Sequence, residues 1–223
     1  ALVVLGLVLL TGEGGMTSFG QAALVGIGAY TTAYLTATDQ LPTYLSFLGG
    51  SPWMALLVGV LITLLSALLV GGLTLKLSGH YLPLGTIAWG ISLYYFFSTI
   101  ETLGGHSGIS NIPSISLFGY ALDTGNKMFY LIWVILFAAI ILTKNLLNSR
   151  EGRAIRALKG GQLMAESMGV NTFKSKMVVF MIASIFFFFS GWLSAHNQSF
   201  INPRPPGLQV GLDYLFVALL GGG

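Results

Sequence analysis

From residue 53 to residue 75 the chain runs without one charged side chain, and Trp53 stands at its border. A helix needs roughly 20 apolar residues to cross a hydrocarbon core of about 30 Å. In lipid every backbone polar group must be paired internally, so a helix is the default form for such a run. A β-barrel would need segments of about 10 residues that alternate apolar and polar. This run is apolar on all faces, so the barrel is excluded. The rest of the chain agrees: 54% of its 223 residues are hydrophobic and 8% are charged, against roughly 25% charged in a soluble domain. The sequence therefore predicts an all-α membrane protein, a polytopic helical bundle.

Further apolar runs cover residues 1–10, 19–37, 82–100, 128–142, 178–195 and the stretch from Val210 to the closing glycines. The expected count is six to seven spans in one transmembrane domain, residues 1–223. Residues 1–10 are short and read as the tail of a longer span. The glycines at the other end read as a turn, so both ends look truncated. Thr11, Gly12, Glu13, Gly14 and Gly15 suit a helix interior poorly, which predicts a broken helix near residues 11–18. The Phe186 to Phe189 run is read as lipid-facing or packing.

The cations are placed unevenly. Seven of the ten Lys and Arg lie between 144 and 176: Lys144, Arg150, Arg153, Arg156, Lys159, Lys174 and Lys176. The positive-inside rule assigns that segment to the cytoplasm. Counting outwards puts residues 101–127 outside, 76–80 inside and 39–52 outside. Lys127 and Arg204 are minor exceptions. The net charge of +3 follows from this topology and is no sign of nucleic acid.

Within the basic segment, Arg153 and Arg156 share one helical face and Ile155 and Leu158 another. Gly160 and Gly161 break the pattern. Residues 162–168 predict a second short helix with Leu163, Met164 and Met168 apolar. Gly169 suits a C′ position, and Asn171 or Thr172 can cap the next span. Two readings stand side by side: a solvated loop that fixes topology, or a docking helix for a cytoplasmic partner.

Other candidates are fewer. The Gly-rich stretch 12–28 lacks the Lys-Ser/Thr of a phosphate loop. Gly26, Gly28, Ala22, Ala23 and Ala29 suit close helix packing. Alternatively Ser18, Gln21 and the broken backbone line a translocation pathway. Glu13 is either an interfacial solvated acid or part of that pathway. Residues 101–127, with His106, Ser107 and Asn111, are either a structured external loop or a docking surface, with Arg204 and Asp213 as lesser candidates. The absence of Cys excludes disulfides, thiolate metal sites and a Cys nucleophile. His80, His106 and His196 are too scattered for a metal motif, and no catalytic constellation is visible.

Several ordered motifs resemble one family. They are residues 20–30 (Gly-Gln-Ala-Ala-Leu-Val-Gly-Ile-Gly-Ala-Tyr), 103–113, 149–158, 165–171 (Ala-Glu-Ser-Met-Gly-Val-Asn), then Ala195, His196, Phe200 and Pro203, and finally 219–223. Their order and spacing resemble Liv-type M-subunit permeases of bacterial ABC importers for branched-chain amino acids. The resemblance implies a multi-pass protein of the bacterial inner membrane. Its partners would be a homologous permease, two cytoplasmic ATP-binding-cassette ATPases and a periplasmic substrate-binding protein. ATP would be hydrolysed by those partner subunits, with no cofactor bound directly and no enzyme activity here. Residues 147–175 would hold the cytoplasmic coupling segment, in which Arg153, Arg156, Glu166 and Gly169 match. Gly160, Gly161 and Gln162 depart from it, where the family usually carries acidic residues. A urea or short-amide importer is the alternative substrate class. A stand-alone carrier or channel, and an intramembrane enzyme, are the other classes. An ion-coupled carrier calls for buried acids in mid-span, and only Glu13 is a candidate. The family also implies a first span before residue 1 and two closing helices after residue 223.

Overall fold

A computed structural model describes residues 1–37, 51–76, 81–100, 103, 105–117, 120–122, 124–201 and 208–221. His80, Pro203 and Arg204, named above, lie outside the described residues, as does the side chain of His106. The described chain is helical almost throughout. Helix α1 (Leu2–Leu7) widens into a π-helix (Val8–Glu13), and α2 (Gln21–Thr36) follows an irregular stretch. Then come α3 (Pro52–Thr74) and α4 (Tyr81–Thr99). A loop holds a 3-10 turn (Gly105–Ser107) and the two-residue strands β1 (Ile109–Ser110), β2 (Ser116–Leu117) and β3 (Tyr120–Ala121). Next are α5 (Gly125–Asn148), α6 (Arg150–Lys159), α7 (Gln162–Ser167), α8 (Thr172–Gln198), β4 (Phe200–Ile201) and α9 (Leu208–Leu220).

Among the described residues, α3, α5 and α8 are long and apolar enough to cross a membrane. The π-helix and α1 together form a shorter apolar helix, Leu2–Glu13. This is an all-α polytopic membrane fold. The apolar pattern could not announce the short strands: β1 in the loop pairs antiparallel with β4 just past α8, and β2 pairs antiparallel with β3 within the loop.

The boundaries follow local chemistry. Pro52 opens α3 at a position where its missing N–H costs nothing. Helix α5 runs past the expected end at Leu142 to Asn148. Its Lys144 is exposed and tolerated near a helix terminus. The expected break at Thr11 moves down the chain. The Thr11 hydroxyl donates to the Leu7 carbonyl at 2.7 Å, inside a helix that widens instead of stopping. The amides of Gly14 and Met16 reach back to the Leu9 and Leu10 carbonyls. The irregular stretch therefore covers 14–20, with Gly15 at φ 61°.

Helix α8 is the axis of the bundle, packed against α1, α2 and α3. Phe186, Phe187 and Phe188 are buried in it, so these three pack within the protein and do not face lipid. Close approach is made possible by two glycines. A Cβ on Gly191 would collide with the Val25 carbonyl and stand 2.8 Å from the Ala29 nitrogen; one on Gly28 would stand 3.0 Å from the Phe188 backbone. Small residues thus let α2 and α8 touch backbone to backbone.

Candidate functional site

The basic segment is built as two short helices clamped to the bundle. The Ser149 hydroxyl accepts the Gly152 amide at 3.2 Å and caps α6. Glu151 lies in its first turn and Arg156 and Lys159 in its last, each sign placed to suit the helix dipole. Gly152, Ile155 and Leu158 are buried and form the inner face. Arg156 is exposed, yet its Nη2 reaches back to donate to the Leu147 carbonyl at 2.6 Å, satisfying an acceptor at the end of α5. Arg153 stays exposed, with only a long 3.5 Å bond to the Ser149 carbonyl.

Helix α7 is bolted to the first turn of α8 by Glu166. Its Oε1 accepts from the Thr172 hydroxyl at 2.7 Å and from Gln162 Nε2 at 3.0 Å. Lys176 Nζ in turn donates to Gln162 Oε1 at 2.7 Å. The Thr172 bond, then the Gln162 bond, hold the Glu166 carboxyl below its ordinary pKa, and the Lys176 charge adds to this. Gly169 ends α7 with φ 79°. Its amide bonds the Glu166 carbonyl and the Val170 amide bonds the Ala165 carbonyl, which is the paired pattern of a Schellman cap. Asn171 Oδ1 then caps α8 by accepting the Lys174 amide at 3.0 Å.

Two surfaces result. Leu163, Met164 and Met168 project from α7 with exposures of 84%, 60% and 73%, while Ala165 is buried beneath them. Beside them a groove of about 460 Å³ lies between α6 and the start of α8, lined by Arg150, Glu151, Arg153, Gly169 and Lys174 among others. Lys174 and Glu151 face each other there at 4.0 Å, both substantially exposed. Such a pair contributes little stability.

The broken helix meets this segment from the other side. A Cβ on Gly15 would lie 3.8 Å from the Leu158 carbonyl, so the irregular stretch rests on α6. Glu13, half-buried, ends the π-helix. Ser18 and Gln21 lie deeper, at 4% and 0% exposure. Gln21 Nε2 donates to the Gly211 carbonyl of α9 at 2.9 Å. Its Oε1 is buried without a hydrogen-bond partner among the described residues. The Phe19 amide donates to Thr86 Oγ1 at 3.1 Å, and Ser18, Gly20, Thr86 and Phe180 surround a small void. Of the three pathway candidates, Ser18 and Gln21 are therefore together in the interior and Glu13 is apart, at the α6 end.

At the far end of α8, Asn111 is exposed and left-handed, with φ 62°. The next amide, Ile112, donates to the Ser199 carbonyl at 3.4 Å. The role of Gln162 and Thr172 in holding Glu166 escaped the sequence reading. The i−4 spacing of Gln162 was the only available signal. Among the described residues no group of three or more His, Cys, Asp or Glu could hold a metal ion.

The fold and the cationic segment define a polytopic helical membrane protein with a rigid two-helix projection at one end. Over residues 1–223 the chain matches the family described as "Branched-chain amino acid transport system / permease component", and it belongs to that family. It is 27% identical over 242 aligned positions to the high-affinity branched-chain amino acid transport system permease protein LivM of Salmonella typhimurium, and equally to that of Escherichia coli. Each alignment covers 98% of this chain and 55% of the relative, so the chain spans about half the length of those proteins. It is also 25% identical to the permease protein LivH of Salmonella typhimurium, over all of this chain and 74% of that protein. No solved structure matches the chain.

Proposed function

We propose that this chain is the permease subunit of an ATP-binding-cassette importer that moves branched-chain amino acids across the bacterial inner membrane. Family membership supports the substrate class. The observation that carries the mechanism is the geometry of α6 and α7. The outer face of α7 offers Leu163, Met164 and Met168 to a partner, while Glu166 and Thr172 tie the same helix to α8. Beside it, α6 bears on the broken helix at Gly15. A push on α7 therefore reaches both the bundle axis and the stretch that carries Ser18 and Gln21. Hydrolysis energy from a partner can move the spans only through contacts rigid on both sides, and the Thr172–Glu166 bond supports such a contact on the membrane side.

In this reading the partner on α7 is a cytoplasmic ATPase subunit that binds and hydrolyses the ATP. A second, homologous permease completes the pathway, and a periplasmic binding protein delivers substrate to the opposite face. Arg153 stays available to the ATPase, Arg156 and Glu166 hold the segment in shape, and Gly169 lets the chain turn between α7 and α8.

The test uses the assembled complex. Met164→Glu places a charge on the exposed apolar face without touching the Glu166 contacts. The ATPase subunits should then no longer co-purify, while insertion into the membrane is unchanged. Retention of the ATPases would remove α7 from the docking surface. Leucine uptake into vesicles holding this chain alone, without ATP, would replace the importer by a carrier.

A further inference from the structure

The loop end of α8 holds a buried histidine that the reading above leaves idle. His196 is 4% exposed. Its Nδ1 stands 2.7 Å from the Pro113 carbonyl. A carbonyl only accepts, so Nδ1 carries the proton and donates. The Nε2 atom is buried with no hydrogen-bond partner among the described residues. The ring meets Trp192 edge to face, with centroids 5.3 Å apart.

Trp192 and Trp53 extend this contact. Trp192 Nε1 donates to the Pro52 carbonyl at 3.3 Å, at the start of α3. Trp53 tilts against Trp192 and donates its own Nε1 to the Ser116 carbonyl at 2.9 Å. The loop 109–117 is therefore held at two carbonyls, by α8 at Pro113 and by α3 at Ser116. Ile109, Ile112 and Ile115 are buried beneath it. Ile109 and Ser110 pair with Ile201 and Phe200 just past the end of α8. Ser110 and Asn111 remain exposed on the outer surface.

The other end of the same helix is Thr172, held by Glu166. Its 27 residues span about 40 Å at 1.5 Å per residue. Along most of that length α8 is packed against α2 and α3. A close-packed helix transmits a displacement because its surroundings hardly compress. His196 and Thr172, the latter held by Glu166, are thus the two terminals of one rod.

We infer that His196 is the positioning residue through which the loop 109–117, contacted by the solute-delivering binding protein, acts on α8 and so on the α6–α7 segment. This rests on the importer reading. When the delivering protein bears on Ser110 and Asn111, the displaced Pro113 carbonyl draws on the imidazole, and α8 carries the shift to Thr172. The Nδ1–H donor is the required feature; the ring alone supplies packing.

The experiment compares wild type, His196→Phe and His196→Asn in the complete complex in lipid nanodiscs. Phenylalanine keeps the contact with Trp192 and loses the donor. Asparagine keeps an N–H near the Nδ1 position. Wild-type ATPase activity should rise on adding substrate-loaded binding protein. In His196→Phe that rise should shrink by about fivefold or more, the lower range of ordinary coupling, with the unstimulated rate kept. His196→Asn should retain most of the rise. Because the chain has no Cys, a spin label on Ser110→Cys reports the loop directly. Its spectrum should respond to nucleotide in wild type and His196→Asn and not in His196→Phe. That label in the Asn variant decides the matter even if the Phe variant fails to fold. Full stimulation of His196→Phe, or equal loss in both variants, overturns the inference and leaves the importer reading standing. A wild-type complex that no loaded binding protein stimulates overturns both.

Discussion

Helices α5 and α8 are matched in apolarity and opposite in use. Each contains a window of mean hydropathy 2.1, yet 6% of that window is buried in α5 and 56% in α8. On hydropathy alone they are the same object. The difference lies in which residues permit a neighbour. Helix α8 offers Ala183, Ser184, Gly191 and Ala195, all buried, and α2 meets it with Gly28. Helix α5 offers Phe129, Tyr130, Val134 and Phe137, all exposed. Lipid supplies no hydrophobic drive between helices, so close approach of small residues selects the axis. Bulky residues are left on the outside of the bundle.

The sharpest way to break this comparison is Gly191→Leu. The new side chain has to displace the backbone of α2 at Val25 and Ala29. No rotamer avoids that clash, so the folded protein should be lost, read as failure to resist mild proteolysis in detergent. A leucine in place of Ala138, exposed on α5, should leave folding intact. If both variants fold equally well, α8 is not the axis.

A graded version uses phenylalanines. Phe187→Ala empties a fully buried site and should cost about 3–5 kcal/mol. Phe137→Ala removes a ring that is 56% exposed and should stay within about 0.5 kcal/mol. Denaturant titration in mixed micelles measures both. A smaller effect is expected at Gly169. Alanine there must hold φ 79°, a left-handed conformation that costs about 1–2 kcal/mol for an L side chain. The loss should appear as faster amide exchange across residues 162–170, with the spans unaffected.

Much of this was legible in the residues. The apolar runs at 53–75 and 178–195 fall within one to six residues of α3 and α8 at each end. The α6 face of Ile155 and Leu158, the Gly169 turn and the Asn171 cap stand where helical spacing and cap chemistry place them. These are local signals, decided within a few residues. Three things were not legible. The fate of Thr11 depended on a hydroxyl bonding back four residues, which composition does not specify. The phenylalanine run could not be assigned to lipid or interior, because glycines far from it in sequence decide it: Gly6 beside Phe187, and Gly28 and Gly59 beside Phe188. The bond of Arg156 back to the Leu147 carbonyl distinguishes two equivalent-looking arginines, both exposed. A contact such as Gly28 to Phe188 joins residues too far apart in sequence to leave a periodicity.

Glu166 offers the finest comparison, between a contact that titrates and the spans that do not. The hydrogen bond from Thr172, and then that from Gln162, favour its charged form in the folded segment and lower its pKa. In the unfolded segment the carboxyl keeps its ordinary value. The folded form therefore binds its proton less readily, and the contact is at full strength above the ordinary glutamate pKa. It weakens as the pH falls below that value towards the lowered one. Amide exchange across α7 should accelerate in that acidic window while exchange across α8 beyond Val179 stays constant. Glu166→Gln should abolish the pH dependence, leaving α7 equally protected at every pH. If wild-type α7 loosened instead on raising the pH towards neutrality, Glu166 would not be the bolt between α7 and α8. The push from α7 would then have to reach the bundle through α6 and Arg156 alone.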